Sequence, residues 1–484
     1  MRELSLGSGW SVLQDPNDVG EAVGVFDPRW DPTNMPPGLS EWIPIDRLVH
    51  LQVLFSENPY FGPELRRYNT APWWYRVAFR VPQETSERFA RIAFQSVDYF
   101  CRVWLNGHLL GDHEGYSSPF QLAAGEHVDR AGDNVLVARI WSPWDAQGSD
   151  PHTRAFTVPR GLMKGTYEHA DTFVQRDVNP VGICGAVSVL FHDGILAEPG
   201  VGVEATVNGG ALVRATIPLA ADRASPKVTV RCTARESDSG LEVASAERAV
   251  PVQSPGTLEV PVELPIPHPR LWSTWDRGEP NTYRLAIELV ENGKSIHATE
   301  TGFGIRQVDL RRTKDETRFY LNGSPLFVRG ATYFPEVYVS RLSRDRYYGD
   351  LLALKAAGCN AVRIHVHVEQ PEFYELCDEL GMAVIQDSDF NWLHPNDDAW
   401  LARALKVFGG MIRHLRSHPS IVAWICMNEP FSDVGERHHY TKGSQLNVRP
   451  GPQLEAEALR LDPSRPRIRG SGAFDDLNSG DSHN

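Results

Sequence analysis

The chain has 484 residues, 41 % hydrophobic and 23 % charged, with 40 Gly and 35 Pro. That is an ordinary globular, turn-rich composition: it excludes a disordered or fibrous protein, and the length is too great for a single core. The formal net charge of -14 argues against a general nucleic-acid surface. The six cysteines are scattered with no C-x-x-C pair, which reads as reduced, buried thiols in the cytoplasm rather than a zinc site. The amino terminus lacks an apolar core of signal-peptide length, and no apolar run approaches the roughly 20 residues that cross a membrane. The expectation is a soluble cytoplasmic protein with no membrane or nucleic-acid partner.

From the start to about residue 195 short strands alternate with turn signals. Tyr75 to Val81 alternates and ends at Pro82, and Asn134 to Trp141 sets Val135, Val137 and Arg139 against Leu136, Ala138 and Ile140. Between them, Asn106-Gly107 separates two apolar segments and suits a two-residue hairpin turn, because both central positions need positive φ. Strands without long helices predict a jelly-roll β-sandwich over 1–195. Its tryptophans (Trp10, Trp42, Trp73, Trp74, Trp104, Trp141, Trp144) form either a sugar-stacking platform or, as such residues more often do, part of the core. Over 196–305 four alternating segments, Val201–Val207, Lys227–Cys232, Thr257–Val262 and Tyr283–Val290, fit an immunoglobulin-like sandwich without a disulfide.

After residue 306 the rhythm becomes strand, helix, strand, helix. Leu326–Gly330 reads as a first short strand, and Ser343 caps a helix that Gly358 ends. Asn360–Val366 is the second strand; Pro371 opens the next helix and Gly381 closes it. Met382–Ile385 is the third strand, followed by a long helix from about Asp397 to Ser417. The fourth strand, Ile421 to Met427, is almost wholly apolar, as buried parallel strands are. A helix near Pro452–Leu461 and a strand at Pro466–Arg469 complete about five units over 306–484, the beginning of an eight-stranded (β/α)8 TIM barrel. The fold class is thus multidomain, β plus α/β.

Barrel active sites lie at the carboxyl ends of the strands. The fourth strand ends in Asn428-Glu429-Pro430, where Glu429 either caps a following helix or acts as a general acid, and Asn428 can hydrogen-bond a substrate hydroxyl. Arg363 at the end of strand two can pair with a carboxylate, structurally or in support of catalysis. His365 and His367, two apart on a strand, should point the same way and can bind a divalent metal, though no clear third and fourth ligands accompany them. Glu369 and His367 fit a polar substrate pocket as readily. Asp387 and Asp389 end strand three and line the pocket or cap the next helix. The run Asp475 to His483, with Asp481 and His483, follows strand five and either lines the same pocket or forms an exposed loop.

Taken together, "WWYRVAFRVP", "VWLNGHLLGDHEGY", "FYLNGSPLFVRGATYFP", "GCNAVRIHVH", "FYELCDELGMAVIQD" and "HPSIVAWICMNEP" resemble family 2 glycoside hydrolases, in that family's order of modules. The resemblance implies a retaining, exo-acting β-glycosidase of carbohydrate metabolism acting on O-glycosidic bonds, with Glu429 as general acid/base. It also implies Asn428, Arg363, His367, Glu369, Asp387, Asp481 and His483 around the sugar, a β-glycoside as partner, and no metal or organic cofactor. The segment "RIHVHVEQPEFY" is nearer the mannosidase and glucosaminidase branch than the galactosidase and glucuronidase branch. In the family the nucleophilic glutamate ends strand seven. No such strand is read in this sequence, and Glu436, Glu455 and Glu457 sit in or before the fourth helix, so the expectation is a chain that does not complete the reaction alone. Two rivals stand beside this reading: a non-catalytic carbohydrate-binding protein with a degenerate barrel, and a metal-dependent hydrolase using His365 and His367. A monomer and an oligomer are both compatible with it.

Overall fold

The structure is a computed structural model that describes residues 1–30, 38–144, 161–164, 177–313, 316–391, 394–395, 397–429 and 450–471. The chain divides into two compact units. The first takes the described residues up to Gly194 apart from 161–164, with Val337–Arg341; the second takes 161–164, Ile195–Glu336 and the described residues from Leu342 on.

In the first unit two antiparallel sheets share a core. The larger has six strands in the spatial order Ile43–Pro44, Ser11–Gln14, Trp73–Arg80, Asp133–Trp141, Phe100–Leu105 and His108–Glu114. The smaller has four, Arg2–Ser5, Val187–His192, Phe89–Phe94 and Phe120–Ala123. The predicted alternation of Asp133–Trp141 is realised on both faces. Leu136, Ala138 and Ile140 enter the main core, while Val135 and Val137 pack with Leu13, Val25, Trp74 and Trp104 on the other side. Asn106 (φ 51°) and Gly107 (φ 85°) make the expected turn. Trp10, Trp73, Trp74, Trp104 and Trp144 are buried, which is the core reading of those aromatics.

The second unit begins with another pair of antiparallel sheets. One is organised on Gly210–Ala221, which pairs with Gly256–Ile266 along its length and with Gly202–Asn208 and Ile195–Ala197. The other runs Glu242–Val252, Ser225–Glu236, Tyr283–Glu291 and Lys294–Phe303. Cys232 is buried in their shared core, and among the described residues no disulfide links any of the six cysteines. Burial pushes the Cys232 thiol up to about 12, as expected of an inert thiol in apolar surroundings.

The parallel sheet follows. Its five strands lie in chain order: β1 (Gly330–Tyr333), β2 (Ala361–Ile364), β3 (Ala383–Asp387), β4 (Ile421–Ile425) and β5 (Arg467–Ile468). They alternate with α1 (Arg344–Ala356), α2 (Pro371–Leu380), α3 (Asp398–Leu415) and α4 (Gly451–Leu461), the partial barrel that the rhythm predicts. Ser343 accepts from the Arg346 N–H to cap α1, Asp397 caps α3, and Gly381 takes the left-handed conformation (φ 67°) that ends α2. One expectation fails. Leu326–Gly330 is not the first parallel strand: Leu326 closes an antiparallel hairpin with Phe319, and pairing with β2 begins only at Gly330. Among the described residues no helix is long and apolar enough to cross a membrane.

Candidate active site

The carboxyl ends of β2, β3 and β4 converge on one buried carboxylate. Asp387, the last residue of β3, is fully buried. It accepts two hydrogen bonds from Arg363 on β2, at 3.1 Å from Nε and 2.8 Å from Nη2, and a third at 3.2 Å from the Val366 N–H. Arg363 Nη2 also donates to Asn428 Oδ1 at 2.7 Å, so one guanidinium joins the ends of three strands. The other side of the Asn428 amide donates to Asn391 Oδ1 at 2.8 Å. A planar guanidinium presents donors in a fixed fork, so the pairing fixes both the carboxylate and the amide.

Backbone pairing carries the sheet one step past its strands. Asn391 bridges Asn428, and Asn428 bridges Ser471; the Asn428 N–H donates to the Phe390 carbonyl and the Glu429 N–H to Ser471, at 2.9 and 2.7 Å. Glu429 is half-buried and adopts φ 43°, as Val366 adopts φ 49°. Non-glycine residues in this region are uncommon and gather where structure over-determines the backbone, often at functional sites. The next described helix, α4, has Pro450 as its N-cap, so Glu429 does not cap it.

A second network lies beside the first. His367 Nε2 is 2.7 Å from Glu369 Oε1, and both side chains are fully buried. Tyr347 donates to Glu369 Oε2 at 2.6 Å, and Tyr374 donates to Gln386 Oε1 at 2.7 Å. Burial first, and then the Glu369 charge, hold the Tyr347 hydroxyl above its usual value, and burial does the same at Tyr374; both stay protonated donors.

The sequence expectations divide accordingly. Arg363, Asp387 and Asn428 meet in one cluster with Glu429 next in the chain. His367 and Glu369 meet in the second, closed network. Asp481 and His483 lie outside the described residues, as does Glu436. His365 and His367 do not point the same way: β2 stops at Ile364, and the positive φ of Val366 breaks the two-residue alternation. His365 Nδ1 lies 3.4 Å from Asp387 Oδ2, whereas His367 engages the His365 carbonyl and Glu369. Glu455 and Glu457 are tied on α4 to Arg469 and Arg460. Sequence reasoning passes over Asn391, Tyr347, Tyr374 and Gln386. Gln386 alone carries a signal, an amide directly after the apolar run of β3 and before Asp387, where a buried polar group must find partners.

Three family models match in chain order. They are "Glycosyl hydrolase 2 galactose-binding domain-like" over 46–173, "Glycosyl hydrolases family 2" over 201–306, and "Glycosyl hydrolases family 2, TIM barrel domain" over 312–466. The chain belongs to glycoside hydrolase family 2. Among family 2 relatives, it is 25 % identical to a β-galactosidase of Thermoanaerobacter pseudethanolicus over 427 residues, covering 87 % of this chain and 50 % of that one. To a β-mannosidase B of Aspergillus clavatus it is 25 % identical over 464 residues, with 89 % and 51 % covered. The chain thus spans about half the length of the curated relatives it matches. A β-D-mannosidase structure from Dictyoglomus thermophilum superposes with a TM-score of 0.78 at 22 % identity, covering all of this chain and 60 % of that one. A Bacteroides uniformis β-glucuronidase gives 0.72 at 18 %, covering 97 % and 52 %. At these identities the structures speak for the fold.

Proposed function

We propose that the chain carries the acid/base side of a retaining, exo-acting β-glycosidase site that cleaves O-glycosidic bonds. The observation behind this reading is the Arg363–Asp387–Asn428 cluster at the carboxyl ends of parallel strands, with Glu429 directly after Asn428. Glu429 protonates the departing glycosidic oxygen and then, as a carboxylate, takes a proton from the water that completes the reaction. Asn428, oriented through its oxygen by Arg363, has an amide N–H left to offer a sugar hydroxyl, a contact that strengthens as the transition state forms. The nucleophile of that mechanism is assigned to none of the described residues. Names among the relatives (β-galactosidase, β-mannosidase, β-glucuronidase) set the range of sugars to try, and the β2 segment supports beginning with mannosides and glucosaminides. The absence of disulfides among the described residues supports a reducing, cytoplasmic setting.

The test is Glu429→Gln in the gene product isolated at its natural length, assayed with aryl β-glycosides. Hydrolysis of substrates with poor leaving groups should fall by about 10²–10⁴-fold, while dinitrophenyl glycosides, which need no acid, are cleaved at the first step much as before. Azide should then restore turnover and yield the β-glycosyl azide. Equal activity of variant and wild type on poor leaving groups would remove Glu429 from this role.

A further inference from the structure

The proposed chemistry leaves the buried Glu369–His367 pair without a task. The His367 ring spans its own turn: Nδ1 is 2.8 Å from the His365 carbonyl and Nε2 is 2.7 Å from Glu369 Oε1. A carbonyl only accepts, so Nδ1 carries a hydrogen; a carboxylate that also accepts from Tyr347 takes the second. Burial alone would push the imidazole below its usual value, but the Glu369 charge and hydrogen bond, then the His365 carbonyl and Asp389, outweigh it and hold it above. The two tyrosines close the network, since the Glu369 N–H donates to Tyr374 at 3.2 Å and the Gln370 N–H to Tyr347 at 3.4 Å.

The turn spanned by that ring contains Val366 at φ 49°. A β-branched residue is a genuine outlier there, so surrounding bonds must impose it. Gln386 contributes from β3, donating to the His367 and Asp387 carbonyls at 2.8 and 2.7 Å. What the strain secures is the Val366 N–H on Asp387, beside the two bonds from Arg363. We infer that Glu369 is a positioning residue: through His367 it fixes the Val366 turn, which orients Asp387 and with it the Arg363–Asn428 pair. The inference rests on the glycosidase reading of Asn428 and Glu429. It moves His367 and Glu369 from contact with the sugar to support of the residues that make that contact.

Glu369→Gln keeps the shape of the side chain and removes its charge. In the natural-length gene product, selective ¹⁵N labelling of histidine, with His367→Gln to assign the signal, should show a doubly protonated, slowly exchanging His367 ring at neutral pH. In Glu369→Gln the ring should become singly protonated, with kcat lowered about ten- to a hundredfold and KM changed less than threefold, as misplacement of a supporting group does. Tyr347→Phe removes one bond to Glu369 while keeping the ring in place. It should lower kcat by about three- to tenfold, and it carries the test if Glu369→Gln does not fold. A singly protonated ring in the wild type overturns the inference. So does unchanged kcat in both variants while Glu429→Gln still shows its leaving-group dependence; that result makes the pair core packing and spares the acid/base reading. Loss of the Glu429 signature itself overturns the glycosidase reading and the inference together.

Discussion

Asp387 is the residue around which the Arg363–Asn428 cluster is built, and its position is electrostatically exposed to error. A carboxylate fully removed from water is tolerated because Arg363 and the Val366 N–H satisfy it. Removing the cation alone leaves a buried charge, so Arg363→Met should cost about 3–5 kcal/mol in urea unfolding. Neutralising both partners, in Arg363→Met/Asp387→Asn, should return a substantial part of that loss; a double variant as unstable as the sum of the singles would show the two do not act as a pair. Residues of this kind are legible in the amino-acid sequence. Arg363, Asp387, Asn428 and Glu429 are the polar positions at or just beyond the ends of apolar strand-forming runs, and the parallel-sheet rule places such positions at the site. The divergence of His365 and His367 is not legible there, because it follows from a positive φ at Val366, and valine gives no local hint of that conformation. Tertiary bonds to Asp387 and across the His367 ring impose it.

At the scale of elements, helix limits can be read to within a residue or two because caps are local chemistry. Ser343, Pro371, Gly381 and Asp397 each stand where the sequence pattern puts them. The first parallel strand escapes such a reading for the opposite reason. Gly330, Ala331 and Thr332 are exposed and only Tyr333 is buried, so β1 shows none of the apolar density that marks β4, whereas the preceding Leu326-Phe-Val looks like a strand without pairing in the parallel sheet. Cap strengths should also be rankable. Asp397 accepts from the Trp400 N–H at 2.8 Å, while Ser343 accepts from the Arg346 N–H at 3.3 Å. Asp397→Ala should therefore cost about 1–2 kcal/mol, toward the upper part of the usual range, and Ser343→Ala less. Denaturant titration of the two variants decides the order, and the reverse ranking would mean that cap geometry is not what sets these costs.

At the scale of the whole chain, the second unit joins its antiparallel sheets to the parallel one through a few buried side chains. Trp272, fully buried, packs in one cluster with Val308, Leu321 and Leu326 and with Ala361, Ala383 and Val422 from β2, β3 and β4. Its Nε1 donates to the Asp378 carbonyl on α2 at 2.9 Å, and its own carbonyl accepts from Asn322. Arg306 follows the last strand of the sandwich and donates to the Pro419 and Ile421 carbonyls at 2.9 and 3.0 Å. Burial, and then the nearby Arg465, lower its pKa to about 9. Nothing in the local sequence marks Trp272 for this work, because its partners lie far along the chain and contact between them is a property of the fold. The Trp272 N–H donates at 2.8 Å to the carbonyl of Ile305, which packs in the sandwich core with Leu285 and Ile287. The two cores are joined there, so Tyr283–Glu291 and β4 should lose hydrogen-exchange protection at the same denaturant concentration. Trp272→Ala removes the common side chain, at a cost of about 3–5 kcal/mol. In that variant β4 should open at lower denaturant than Tyr283–Glu291, whose own core of Val230, Cys232, Leu285 and Ile287 is untouched. If the two segments still open together, the coupling runs through Arg306 and the backbone rather than through the tryptophan.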